Sequence, residues 1–540
     1  MAKKFETFGV MIDFSRNAVM TVDTLKHFLT ILKKMGYNTA FLYMEDTFEI
    51  EGEPYFGYMR SRYSIEEMKE IDEFAASIGI EAIPCIQTLA HMRTFFKWRK
   101  VNVDCDDILL TDDARTYELI ENMFKTLSSC FRSKRIHLGM DEAHMLGRGK
   151  HLDIHGYENS STIIKRHLAR ICDMAKKYDY ELLVWSDMFF RSWNGGYTDG
   201  SGSKVPDEVK AALPQSVAPV YWDYYHTEEA HYDRMFGMHK QLSNRTWFAG
   251  GVWSWQGHAP INEFSLTSML PALRSCRKNG IKNVFMTMWG DDGGECSHFT
   301  QLPALLYLAE AARGNFDEDK IKAKFRRMFG MSYDEFMLLD APNNIAPELP
   351  VSYNNPSKYM LYSDPFLGFL DYTVKAGVGE TYKKHASDLH AAAKKSRKYG
   401  YLFQTLATLC DVLSVKYELG VKTRAAYQAG DKAELLRLAN EDYTLLEKHL
   451  RAFYAAAEKQ WFLENKPSGF EVQDARLGGL MQRVAACKKR LIAYANGKVA
   501  EIPELSVDIL PYPEEANKEK PMIFNAYARN FTANVFSHQF

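Results

Sequence analysis

Eight short β-rich runs, each followed by a stretch of helical periodicity, fill the chain from residue 7 to about 290, and this feature restricts the fold more than any other. The runs are FGVMID (8–13), NTAFLYM (38–44), EAIPCIQ (81–87), RIHLGM (135–140), ELLVWSD (181–187), VAPVYWD (217–223), TWFAGGVWSW (246–255) and NVFMTMWG (283–290). Repeated βα units build a parallel sheet with helices packed outside it. Eight of them in roughly 300 residues predict a closed TIM (β/α)8 barrel. An open doubly wound sheet has fewer strands and a glycine-rich phosphate turn after the first, and no GxGxxG follows FGVMID. The intervening segments are amphipathic: Leu25, Phe28, Leu29, Leu32 and Met35 share one helical face, and Met68, Ile71, Phe74, Ala75 and Ile78 share another. Ser64 and Glu67 have the spacing of a capping box, and Gly79 suits a helix C-terminus.

Beyond about residue 310 the β pattern stops. A loop rich in Pro and Asn runs through APNNIAPELPVSYNNPSKY (341–359), and long helical stretches follow from about 380 to 498. The expected organisation is a barrel over 1–315, a connecting segment over 316–379 and a mainly α-helical C-terminal domain over 380–540, with an irregular tail after 500. Within the last domain, ENKPSGFEVQDARLGGL (464–480) reads as a break, either a plain interhelical loop or a loop serving a site. The net charge of −2 weighs against nucleic acid or an anionic membrane surface as partner. The start, MAKKFETFGVMIDFSR, lacks the apolar run of a signal peptide, no stretch of about 20 apolar residues could span a bilayer, and the eight cysteines lack CxxC spacing. A cytoplasmic protein with no metal and no cofactor is the expectation.

In such a barrel the chemistry sits at the C-terminal ends of the strands. Reading off those ends gives Asp13, Ser15 and Arg16; Glu45 and Asp46; Gln87 and then His91; Asp141, Glu142 and His144; Trp185 and Asp187; Trp222, Asp223, Tyr224 and Tyr225; Trp253 and Trp255; Trp289, Asp291 and Asp292. The tryptophans serve either as barrel core or as flat surfaces for the apolar face of a sugar, and their recurrence at strand ends favours a sugar pocket. Arg16 beside such a pocket offers a planar fork of donors to neighbouring hydroxyls.

Asp141 and Glu142 leave the fourth strand as neighbours, so their side chains diverge. They are poorly placed to act as the two opposed carboxylates of an ordinary glycosidase, which face each other across the scissile bond about 5 to 9.5 Å apart. One of them can still act as general acid while the other holds substrate.

RIHLGMDEAHMLG (135–147) resembles the HxGGDE motif of the family 20 glycoside hydrolases, the β-N-acetylhexosaminidases. MIDFSR (11–16) looks like their first-strand aspartate and sugar-binding arginine, and YSIEEMKEIDEFAASIGIEAIPCIQTLAH (63–91) is similar to their YTxxDIxEIxxYAxxxGIxVIPEIxxPGH segment. LVWSD (183–187) and MWGD (288–291) resemble their GW(D/E)E and LWSE strands. The resemblance implies an exo-acting enzyme that releases terminal β-linked GlcNAc or GalNAc from an oligosaccharide or glycoconjugate with retention, the substrate's acetamido oxygen being the nucleophile. It implies Glu142 as acid and base and Asp141 as the anion that holds the acetamido nitrogen. It further implies Arg16 on the 3- and 4-hydroxyls, Trp289 on the sugar face, Trp185 and Trp253 on the acetamido methyl, and Asp291 on the 4- or 6-hydroxyl. Tyr224 or Tyr225, beside Trp222, would bind the acetamido oxygen, His91 would support the carboxylates, and His137 matches the histidine within the strand-four motif. A homodimer fits the family tendency.

The chain departs from the pattern where Met140 replaces the second motif glycine, Cys85 stands for a glutamate and Asp291 for another. The barrel also begins at once, which implies a compact branch without the family's N-terminal accessory domain. Two other readings stand beside this one: a metal-dependent barrel hydrolase or isomerase using His137, Asp141, Glu142, His144, Asp187 and Asp291, and a sugar-binding barrel without catalysis.

Overall fold

The computed structural model describes residues 5–194, 196–197, 204–368 and 370–510. Its eight parallel strands are β1 (Thr7–Asp13), β2 (Thr39–Tyr43), β3 (Glu81–Cys85), β4 (Arg135–His137), β5 (Glu181–Trp185), β6 (Val217–Trp222), β7 (Trp247–Gly251) and β8 (Asn283–Met288). They close into a barrel in sequence order, with β8 back on β1 through the Thr7–Asn283 to Ile12–Met288 register. The predicted TIM barrel is therefore the observed fold. The strands are buried almost throughout, as strands enclosed by helices outside and side chains inside must be. The capping box also forms: Ser64 and Glu67 exchange hydrogen bonds at the start of the helix Ile65–Ser77.

The barrel interior is filled in layers. At its N-terminal end Arg135 pairs with Glu81 and donates to Thr7 Oγ1 at 3.0 Å. Above that lie Met11, Phe41, Ile83, Leu183, Trp247, Ala249 and Phe285, with the Phe41 and Phe285 rings stacked at 4.2 Å. Tyr43, Cys85 and Trp185 form the top, with Trp222 and Trp289 packed against them. A plugged barrel leaves its C-terminal mouth for chemistry.

Two strands stop earlier than their apolar runs. β4 ends at His137 because Gly139 and Met140 both adopt φ +72°, which no strand accommodates. β7 ends at Gly251. A small antiparallel pair, Val103–Cys105 with Ile108–Leu109, sits between β3 and the helix Ala114–Cys130; the sequence patterns did not anticipate it.

The chain forms two compact units, the barrel unit (1–252, 265–289 and 305–316) and a second one (253–264, 290–304 and 317–540). The segment 316–379 carries the helices Glu318–Phe329, Tyr333–Met337 and Pro356–Tyr362. The second unit continues with the helices Val378–Lys395, Gly400–Gln428, Tyr443–Glu464 and Glu471–Ala495, so the C-terminal region is mainly helical, as expected. The break read over 464–480 shrinks to a few residues, because the last of these helices starts at Glu471 and runs through Gly478 and Gly479. Of the expected irregular tail, residues 511–540 lie outside the described residues, and Pro503–Ser506 is a short helix.

Candidate active site

The strand ends of β1 to β5 build one connected network. Gln87, two residues past β3, donates from Nε2 to Asp141 Oδ1 at 2.7 Å and to the Tyr43 hydroxyl at 2.8 Å, and its Oε1 accepts the Met140 N–H at 3.1 Å. The Tyr43 hydroxyl donates to Glu45 Oε1 at 3.1 Å, and Glu45 pairs with Arg16 at 3.2 Å. His91 Nε2 lies 3.3 Å from Asp141 Oδ2 and 3.8 Å from Glu142 Oε2. Both oxygens of Asp141 are thus held from the β3 side.

Charge follows from this geometry. Burial works to lower the His91 pKa, but the charge and hydrogen bond of Asp141, with help from Glu45, lift it to about 10. Burial works to raise Asp141, yet His91 and Gln87 outweigh it and hold the carboxyl below the ordinary aspartate range. Asp141 and His91 therefore stand as an ion pair at neutral pH. Glu142 is different: its side chain is 44% exposed, and its carboxylate faces out beside the pair.

Besides Met140, three members of the network adopt left-handed backbone: Glu45 (φ 44°), His91 (φ 56°) and Glu142 (φ 52°). Non-glycine residues rarely hold this conformation, and at strand ends it turns each side chain toward the barrel mouth. Asp187 fixes one of these turns. Its fully buried Oδ2 accepts the Glu142 N–H at 3.0 Å and lies 3.6 Å from Arg191 Nε. Burial, then the nearby Asp141 charge, push the Asp187 pKa up to about 7.

Aromatic residues wall the mouth. Trp289 is partly exposed, meets Tyr43 edge-on at 4.8 Å, and lies 6.0 Å from Trp185. Trp185 is 1% exposed and forms the floor, 4.3 Å from the ring of His137. His137 is buried and neutral, its pKa lowered by burial to about 3, and its Nδ1 accepts the Gly139 N–H at 3.1 Å. Trp222 stacks on Tyr224 at 5.4 Å; Tyr224 is buried and hydrogen-bonded to Trp289 and Thr287, while Tyr225 stands 39% exposed. Arg16 lies at the rim, 34% exposed.

Trp253 and Asp291 belong to the second unit. Trp253 is fully buried, its ring 4.2 Å from Trp255 and 4.8 Å from Tyr353, so it presents no surface to a ligand. Sequence reading placed Gln87 and Glu45 at strand ends without giving them work, gave Asp187 only a ligand role in the metal-dependent alternative, and gave Tyr43 none at all. Their signal was the alternation that aims Tyr43, Cys85 and Gln87 inward along β2 and β3.

The residues of the alternative metal-dependent reading, His137, Asp141, Glu142, His144, Asp187 and Asp291, form no group of three converging ligand atoms among the described residues. Among the described residues one group of metal-type ligands does converge, Asp223 with His226 and His231. Its two imidazoles lie parallel at 3.4 Å and 6°, however. A metal ion sits in the plane of each imidazole that binds it, and two parallel planes share no such point. Asp223 instead accepts hydrogen bonds from the Tyr221 hydroxyl and from His226 Nδ1, each at 2.8 Å.

The protein is a glycoside hydrolase, as its matches to known families show. Residues 5–231 match the glycosyl hydrolase family 20 catalytic domain, and residues 334–524 match the glycoside hydrolase 20C C-terminal domain. The chain belongs to glycoside hydrolase family 20. It is 26% identical over 350 residues to hexosaminidase D of Homo sapiens, covering 59% of this chain and 68% of the relative. It is 24% identical over 344 residues to hexosaminidase D of Bos taurus, covering 58% and 94%. Among solved structures, a GH20 exo-β-N-acetylglucosaminidase from Vibrio harveyi in complex with N-acetylglucosamine superposes with a TM-score of 0.47 at 13% identity, over 62% of this chain and 58% of that one.

Proposed function

We propose that this protein is an exo-acting β-N-acetylhexosaminidase that removes terminal, non-reducing β-linked GlcNAc or GalNAc with retention, using the substrate's acetamido oxygen as nucleophile. The observation that carries the reading is the division between Asp141, buried and held charged, and Glu142, exposed beside it. Five other carboxylates at the strand ends are engaged: Asp13 by Ser15, Glu45 by Arg16, Asp46 by Arg60, Asp187 by the Glu142 N–H and Asp223 by Tyr221 and His226. With these carboxylates occupied, a nucleophile brought by the substrate is the simplest arrangement.

Glu142 protonates the glycosidic oxygen as its bond to C1 breaks, and the acetamido oxygen bonds to C1 to give an oxazolinium ion. Asp141 accepts the acetamido N–H and balances the charge that develops there. Water then attacks C1, giving its proton to Glu142. Arg16, Trp289, Trp185 and Tyr224 take the sugar-binding roles that the family resemblance implies, and His91 keeps Asp141 ionised. The test is hydrolysis of p-nitrophenyl β-GlcNAc and β-GalNAc at neutral pH, in chelator and without it, with the first-formed anomer read by NMR. Release of the β-anomer in both conditions and inhibition by a thiazoline analogue are expected. No release, an α-anomer product or loss of activity in chelator would overturn the reading.

A further inference from the structure

Exposed apolar side chains are distributed unevenly over the barrel unit. Among the described residues nine large ones are exposed, and eight of these lie in the segments that follow β2, β4 and β6, on the side of the catalytic mouth, with Leu152 and Ile154 in the short helix Lys150–His155; the ninth is Phe316. Scattered surface apolar residues need no explanation, but their concentration on one face marks that face for binding.

Within it, three rings from two loops form a platform. Tyr58 lies 5.3 Å from Trp98, Tyr55 lies 5.7 Å from Trp98, and the two tyrosines are 6.1 Å apart. Tyr55 and Tyr58 are 40% and 42% exposed. Lys100 Nζ stands over the Tyr55 ring, 4.1 Å from its centroid, and Lys97 Nζ over that of Trp98 at 5.2 Å, so each of these two rings has a donor against one face. Sugars are recognised this way, by ring faces against their C–H faces and by donors to their hydroxyls.

The platform is anchored to the site wall. The loop after β2 opens with Glu45 and Asp46, and Gly57 packs so closely on the Asp46 carbonyl that a Cβ there would lie 2.1 Å from it. Arg60 pairs with Asp46 at 3.2 Å and donates to the carbonyl of Ser15, the neighbour of Arg16. The loop after β3 carries His91, and Trp98 follows the short helix Arg93–Phe96 that begins two residues later. A leaving group departs on the side of the acid that protonates it. Glu142 lies against His91, so that side borders the loop bearing Trp98.

Resting on the reading of Glu142 as acid, we infer that Tyr55, Tyr58 and Trp98 bind sugars of the leaving group, so that the natural substrate is an oligosaccharide chain and not a single hexosamine on a small aglycone. The experiment compares kcat/KM for a tetrasaccharide ending in β-GlcNAc with that for methyl β-GlcNAc, in the wild type and in Tyr58→Ala, Trp98→Ala, their combination and Tyr58→Phe. The alanine variants are expected to lose about tenfold on the tetrasaccharide while staying within about twofold on the methyl glycoside, and Tyr58→Phe, which keeps the ring, to behave as wild type. Equal losses on both substrates, or none on either, would overturn the inference. A change in oligomeric mass without discrimination between substrates would do the same and assign the platform to a second copy of the chain. Failure of the wild type to cleave either substrate would instead remove the hexosaminidase reading, and the inference with it.

Discussion

Asp141 and Glu142 share a peptide bond but not an environment, and each therefore fails in its own way when changed. Glu142→Gln keeps the shape of an exposed side chain, so stability should hold within about 0.5 kcal/mol while turnover of an aryl glycoside falls by about 10² to 10⁴. Asp141→Asn should lower turnover similarly, and NMR titration should show the His91 pKa falling from about 10 toward the ordinary histidine range, since the carboxylate that holds its proton is gone. Asp187 gives a test in pH. Its folded pKa is raised to about 7, so between about pH 4 and 7 the unfolded chain is ionised while the folded one keeps its proton, and stability drains away as pH rises through that window. Asp187→Asn keeps an oxygen for the Glu142 N–H and cannot ionise. Its melting temperature should exceed that of the wild type at pH 8 and converge with it near pH 4. A constant offset between the two would show that Asp187 does not titrate in this way.

At the scale of elements, the turn after β4 sets the pair in place. Gly139 holds φ +72°, and a Cβ there would lie 2.1 Å from Gln87 Oε1 and 2.7 Å from the Ile86 carbonyl. Gly139→Ala should cost about 1–2 kcal/mol in urea unfolding from the left-handed backbone alone, and more from the clash. It should also lower kcat, because Gln87 is pushed off Asp141. The eight strands were legible because a parallel strand buried on both faces is a near-continuous apolar run, and Asp141 and Glu142 were legible because they stand directly beyond one. The work of Tyr43, Gln87 and Asp187 was not, since each acts by hydrogen bonds that span 44, 54 and 45 residues of chain. Trp253 misled for another reason: an indole at the end of an apolar run suits core and sugar pocket alike, and only packing against Trp255 and Tyr353 separates them. Gly478 and Gly479 read as helix breakers, yet buried Leu477 and Leu480 offset their propensity and the helix continues.

At the scale of the whole molecule, no helix among the described residues is long and apolar enough to cross a membrane, and the helical unit is held partly by buried charge. Lys358 Nζ lies 2.8 Å from Glu295 and 3.6 Å from Asp292, and Arg476 Nη1 lies 2.8 Å from Glu295. Arg476 also donates to the Asp292 carbonyl. Burial works to raise the Glu295 pKa, but Lys358, His258 and Arg476 outweigh it and bring it down to about 2. A carboxyl depressed in this way contributes stability that is present above its ordinary value and lost as pH falls through the folded one. Lys358→Met removes one partner and leaves the Glu295 charge in place, which should cost about 3 kcal/mol at pH 7 by chemical denaturation. As pH falls toward 2 the wild type loses the same interaction while still burying the lysine charge, so the gap between the two proteins should close. Replacing Lys358 by methionine keeps most of its volume, so packing loss alone would leave the gap constant with pH. The closing of the gap therefore separates an electrostatic anchor from a merely well-filled one.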